Sequence, residues 1–278
     1  MKKSLFIGLV SILLLSITMF SIVMADKPDF IPTVSQGGAD VVVPSNAVEI
    51  APGLFSLGSA VDVDGEVVEG YMIIKKKDKG NHGGGSSHQG STSTTCYAFL
   101  SKGARWKTTE QYVLDTTNSD GLTDSFVANS VEASLNAWDE QVAFDVFGTR
   151  NIGLTVDGAD TSSPDGKNEV LFGSISDPGA IAVTIVWGVF SGPPSGRKLV
   201  EFDAVYDDPD FVWGDATINP IVTDFLNVAT HEKGHAAGMA HPSDSCTEET
   251  MFRFASTGET KKRTLNSGDI TGIKKLYG

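Results

Sequence analysis

The sequence predicts an α+β fold, and three observations carry that prediction. Short apolar runs rich in Val and Ile recur between Val48 and Tyr206, punctuated by Gly and Asp. The stretch from about Asp124 to Gln141 instead repeats its apolar residues at helical spacing. A second helical stretch follows the last strand run and leads into three of the chain's five histidines.

In chain order, residues 1–25 read as a secretory signal peptide. Lys2 and Lys3 form a positive start, Leu5 to Met24 is apolar, and Val23-Met24-Ala25 offers small residues before Asp26. An uncleaved anchor is the alternative, because the apolar run approaches membrane-spanning length. Residues 26–78 read as a small β-rich N-terminal module or prosegment. Its strand-like runs are Val48–Ile50, Leu54–Leu57, Ala60–Val63 and Val67–Ile74, and Asp62-Val63-Asp64-Gly65 fits a hairpin turn better than a calcium loop. Residues 79–95 form a Gly/Ser/Thr-rich linker. The domain from 96 to 278 opens with a strand at Gln111–Asp115. A helix follows, with Phe126, Val127, Val131, Leu135, Ala137 and Trp138 on its apolar side. Phe144–Phe147, Ile152–Val156, Glu169–Gly173, Ala180–Trp187 and Lys198–Tyr206 read as further strands. The loop between Asp157 and Asn168 holds Asp157, Asp160 and Asp165, hard oxygen donors suited to a structural Ca²⁺ or to an ordinary polar loop.

The chemistry concentrates in His231-Glu232-Lys233-Gly234-His235-Ala236-Ala237-Gly238-Met239-Ala240-His241. Histidines four residues apart on a helix present both imidazoles on one face, at the spacing of two ligands to a single Zn²⁺. Gly238 permits the left-handed turn that ends such a helix and returns His241 as a third ligand. Three protein ligands leave a fourth position open, which is the catalytic arrangement and not the structural one. Glu232, next to the first ligand, is placed to act as a general base.

This HExxHxxGxxH pattern resembles the metzincin signature of zinc peptidases. Glu249-Thr250-Met251-Phe252 is similar to the turn that places a methionine under the metal, and the run ending Gly272-Ile273-Lys274-Lys275-Leu276-Tyr277-Gly278 resembles the close of the matrixins. The resemblance spans about Tyr97 to Gly278. It implies a matrixin-like catalytic domain with a twisted mixed sheet and about three helices. It implies one catalytic Zn²⁺ on His231, His235 and His241, with Glu232 as base toward a metal-activated water and Met251 beneath. Ala180, Ile181 and Ala182 would form a sheet edge along the cleft, where an extended peptide pairs by strand addition. Val228 and Phe252 would wall the pocket for the side chain after the cut bond, which favours a hydrophobic residue if that pocket is open and apolar. Pro242 and Phe252-Arg253 depart from the commoner residues of the family, which bears on the pocket's shape and removes no ligand.

The function implied is a secreted zinc endopeptidase acting on protein or peptide substrates. The competing reading is a non-catalytic zinc-binding surface or adhesive module, against which Glu232 counts, because a pure binding site needs no base. The formal charge of −14 argues against a nucleic-acid partner. With its signal removed the chain is expected to be a soluble monomer without a membrane span. In an oxidising compartment the two cysteines, Cys96 and Cys246, are expected to pair. The other reading of Cys96, an inhibitory thiolate on the zinc, lacks the surrounding motif of the family's latent forms.

Overall fold

Ala180–Val189 is the central strand of the molecule, buried on both faces along nearly its whole length, as a run of Ala, Ile, Val and Trp without polar alternation requires. A computed structural model describes residues 39–78 and 95–278, so the signal-peptide expectation and nearly all of the Gly/Ser/Thr segment lie outside the described residues. The described residues belong to a single unit, Ser35–Gly278.

The elements follow in order. The first four strands are β1 (Ala39–Val41), β2 (Val48–Ala51), β3 (Leu54–Val61) and β4 (Val67–Lys77). Next come β5 (Ala98–Phe99), β6 (Glu110–Leu114), helix α1 (Asp124–Asp139) and β7 (Phe147–Arg150). Then come β8 (Glu169–Ile175), the central strand β9, β10 (Lys198–Asp207), β11 (Trp213–Gly214) and β12 (Thr223–Asp224). Helix α2 (Phe225–Ala236), β13 (Met239–Ala240), β14 (Phe254–Ala255) and helix α3 (Ser267–Tyr277) complete the fold. Among the described residues this is the mixed sheet with three helices that the resemblance implies.

The sheet runs β2-β3-β4-β9-β10-β8-β6-β7, with β1 on β8 and β14 on β4. Its β8–β10 and β6–β8 pairs are parallel, while β10–β9 and β9–β4 are antiparallel. The larger core lies where α1 and α2 pack, and includes Trp138, Phe202, Tyr206, Phe225 and Val228. A second core, with Met72, Ile74, Val183, Ile185 and Trp187, forms from the alternate residues of the same strands.

Three expectations change. Residues 48–77 do form strands, joined by the predicted hairpin, with Gly65 at φ +85° and Asp62 Oδ1 accepting from the amides of Asp64 and Glu66. They are not a body apart: β4 is hydrogen-bonded between β3 and β9, so one sheet crosses the boundary drawn at 79–95. It follows that β9 is no edge, because both of its sides are paired. The strand expected at Ile152–Val156 is absent. Asn151 turns the chain by accepting from the Gly153 amide, and Ile152 stays 91% exposed.

Among the described residues no helix is long and apolar enough to cross a membrane. Cys96 and Cys246 form a disulfide closing a separation of 150 residues, so no free thiol remains.

Candidate metal centre

Helix α2 starts where Asp224 accepts from the Asn227 amide, and it is buried almost throughout. Trp138 of α1 locks it by donating from its indole to the Thr230 carbonyl at 2.8 Å. Gly234 is a packing requirement. A Cβ there would lie 2.2 Å from the Met251 sulfur and 2.5 Å from the Trp138 ring. The helix ends at Gly238, φ +97°, whose amide donates to the His235 carbonyl. Strand β13 then pairs with β5 and brings His241 back beside the helix.

The three imidazoles converge through Nε2. His231 and His235 are 3.1 Å apart, His235 and His241 3.1 Å, and His231 and His241 3.2 Å. A tetrahedral ion about 2.0–2.1 Å from each nitrogen needs edges of roughly 3.3 Å. The far nitrogens set the tautomers. His231 Nδ1 donates to the Thr250 carbonyl at 2.6 Å and His235 Nδ1 to the Met239 carbonyl at 2.9 Å. Carbonyls only accept, so both Nε2 atoms carry lone pairs toward the shared point. Lone pairs facing each other without a proton between them suit a cation. Burial holds all three histidines below their ordinary range, His235 at about 3, with the Lys75 charge adding to the effect. They are therefore neutral, as ligands must be.

Glu232 is buried, with Oε2 accepting from Thr184 Oγ1 at 2.6 Å and Oε1 without a hydrogen-bond partner. Burial raises its pKa to about 7, against the opposing pull of Lys75, the Thr184 hydroxyl and Lys233. Met251 is fully buried under the helix. The turn carrying it is held by Asp269, which accepts from the amides of Thr250 and Met251 while capping α3 through the Asn266 amide. The chain's last helix thus supports the carbonyl that orients His231. Thr184 and Asp269 are the supporting residues that the sequence did not disclose. Thr184 could have been flagged as the one hydroxyl in an apolar central strand.

The predicted cleft residues assemble around the same helix. Ala180, Ile181 and Ala182 lie on β9, Val228 is buried on α2, and Phe252 follows the methionine. Strand β4 lies against the β9 members of this set. Lys75 pairs with Ala182, is fully buried, and donates from Nζ to the Phe252 carbonyl at 3.3 Å. A buried lysine therefore stands beside a residue expected to wall an apolar pocket.

The loop acids sort differently from the sequence expectation. Asp157 and Asp165 are held by Lys167 at 2.5 and 2.7 Å. Asp160 instead joins Glu201 and Asp203 of β10, with one carboxylate oxygen from each within 4.8 Å of the others. Glu201 Oε1 is buried without a partner. Burial and mutual repulsion raise Asp160 to about 6 and Glu201 to about 8, and push Asp203 well above the usual carboxylate range.

Known proteins resemble the C-terminal part of the chain. Residues 192–278 match the family model described as Matrixin. The chain is 41% identical over 76 residues to human matrilysin, covering 27% of each chain. It is 35% identical over 97 residues to metalloendoproteinase 1 of Glycine max, covering 32% of this chain and 31% of that one. It is 40% identical over 78 residues to stromelysin-1 of Equus caballus, covering 27% of this chain and 15% of that one. The matches thus span less than a third of these relatives' length, and over that stretch the chain is matrixin-like.

Proposed function

We propose that this matrixin-like chain is a secreted zinc-dependent endopeptidase that hydrolyses protein or peptide substrates. The observation that carries the reading is the geometry of the histidines. Three Nε2 atoms stand at metal-ligand spacing, two of them with tautomers set by backbone carbonyls, and a buried carboxylate with one unused oxygen follows the first histidine. His231, His235 and His241 would hold the zinc. Once bound, the ion would supply Lewis acidity, lowering the pKa of water and polarising the scissile carbonyl.

The remaining work falls to this chain's own groups. Glu232, held near neutrality by burial, takes a proton from water and delivers it to the leaving amine. Thr184 fixes Oε2, which leaves Oε1 free for the proton. Met251 and Gly234 keep the floor of the site dry and closely packed. Asp160, Glu201 and Asp203 would take a structural Ca²⁺, because the orphaned Glu201 oxygen and two further raised carboxylates are hard donors needing either protons or a cation.

The test is hydrolysis of a mixed fluorogenic peptide library by purified protein, beside Glu232→Ala, with zinc content measured on both. Cleavage that a chelator stops, lost in a variant that keeps its zinc, supports the peptidase. Zinc on both proteins with cleavage by neither, even after residues 79–94 are cut, would favour the non-catalytic binding module.

A further inference from the structure

Strand β4 occupies the groove in the manner of an extended peptide. It runs antiparallel along β9, with Ile73 opposite Thr184, Ile74 opposite Val183 and Lys75 opposite Ala182. Its far end runs parallel to β14, pairing Lys76 with Phe254 and Lys77 with Ala255. The Lys76 amide donates to the Arg253 carbonyl at 3.2 Å and the Asp78 amide to the Ala255 carbonyl at 2.8 Å. The strand is thus held from both walls, which is how strand addition holds a ligand.

The side chains point to the same conclusion. Ile73 belongs to the larger core, whereas Met72 and Ile74 enter the second core. Two-residue alternation places Lys75 on the Ile73 side, beside the catalytic helix. A fully buried lysine in a central strand is costly unless something specific receives it. Here Nζ meets the Phe252 carbonyl, and burial pushes the lysine well below its ordinary range, with Lys262 adding to that and Glu232, Glu259 and Asp269 opposing it. Upstream, the turn at Pro52-Gly53 reaches the site as well. Pro52 lines a cavity together with His241, and the Gly53 carbonyl accepts from the Ile74 amide at 2.8 Å. A cavity of about 260 Å³ remains beside His241, walled by Pro52, Leu54 and Ile73 on one side and Phe99 and Arg253 on the other. With both cysteines in the disulfide, no thiol is available to block the metal.

We infer that residues 67–78 form a tethered pseudosubstrate. β4 fills the peptide cleft of its own chain, Lys75 plugs the pocket beside Glu232, and the site stays closed until the strand is displaced. The inference rests on the reading of this groove as the peptide-binding cleft. A segment covalently attached to the domain it occupies acts at an effective concentration on the order of millimolar, so a free peptide competes poorly while the tether is whole.

The experiment uses the chain from Asp26 onward with a sequence-specific protease site inserted within residues 79–94. A fluorescein-labelled synthetic peptide of residues 67–78 is titrated into intact and cut Glu232→Ala protein, and hydrolysis of a fluorogenic peptide is followed with the wild type. Binding at least tenfold tighter after cutting and separation is expected, with a similar gain in hydrolysis and a loss of at least tenfold for the Lys75→Ala peptide. Equal binding before and after the cut would overturn the inference and make β4 a permanent strand, whatever the hydrolysis shows. Tighter binding after the cut without any hydrolysis would sink the peptidase reading and leave the pseudosubstrate standing. Should the cut protein precipitate, Lys75→Glu in the uncut chain decides, with folding followed by circular dichroism. The added carboxylate beside Glu232 should expel the strand and raise peptide binding at least fivefold, and a folded variant with unchanged binding refutes the inference.

Discussion

Among the described residues stand two clusters of like groups, largely buried, and they are built in opposite ways. The histidine cluster comes from eleven consecutive residues, and the acidic cluster joins Asp160 to Glu201 and Asp203 across the sheet. In the first, helix spacing and one glycine turn bring the ligands together locally. In the second, the groups meet only because β10 carries two alternate carboxylates toward a loop more than forty residues upstream. The histidines can be buried neutral. The carboxylates cannot be buried as anions without a cation, and their raised pKa values express that conflict.

The comparison is broken most severely at Glu232. Glu232→Ala should lower kcat/KM by at least about a thousandfold while zinc, measured by metal analysis, stays near the wild-type content. A variant that also loses its zinc would mean that the local cluster depends on this carboxylate for its assembly.

Removing the Cys96–Cys246 disulfide by double serine substitution probes how far the local motif relies on long-range support. Closing 150 residues is worth about 5 kcal/mol in the chain-entropy model. Urea unfolding should register several kcal/mol of that, and an unchanged midpoint would show that the packing alone holds Met251 under the helix.

Gly234→Ala should cost about 1–3 kcal/mol by overpacking, read as a lower thermal midpoint, because Met251 and Trp138 must both move. The same substitution at exposed Gly196, where a Cβ meets nothing, should be near neutral.

The acidic cluster predicts a pH dependence of a definite sign. Its folded-state pKa values lie above the unfolded ones, so between roughly pH 4 and 8 the native state holds more protons than the unfolded chain. Without added cation, stability should fall as pH rises through that window. Millimolar Ca²⁺ should restore the thermal midpoint at pH 8 and matter less at pH 5. A midpoint indifferent to Ca²⁺ at pH 8, or an Asp203→Asn variant with the same response as wild type, would remove the calcium site.

The smallest effect concerns Thr184. Its hydroxyl stabilises the ionised form of Glu232, so Thr184→Val should move the acid limb of the kcat/KM profile to higher pH by a fraction of a unit. An unmoved limb would mean that this hydrogen bond does not tune the base.

Legibility in the sequence follows the same division. The metal motif, the Met251 turn and the strand and helix runs could be read because their geometry is set within a few residues. Helical residues four apart must share a face, and apolar alternation must mark a pleated strand. The hairpin at Asp62–Gly65 was legible for the same reason. Long-range pairing was not legible. Nothing in Val67–Lys77 states which edge it will join, so its place between β3 and β9 and the burial of Lys75 emerge only when the sheet closes. Likewise Lys167 claims Asp157 and Asp165, and β10 supplies the partners of Asp160, because charge pairing acts through space and not along the chain. The sequence alone determined the candidate ligands, the candidate base and the α+β class. The tertiary structure decided which strand pairs with β9, which acids share a cluster, and which carbonyls orient the histidines, since each of these depends on backbone edges and charges that only folding brings together.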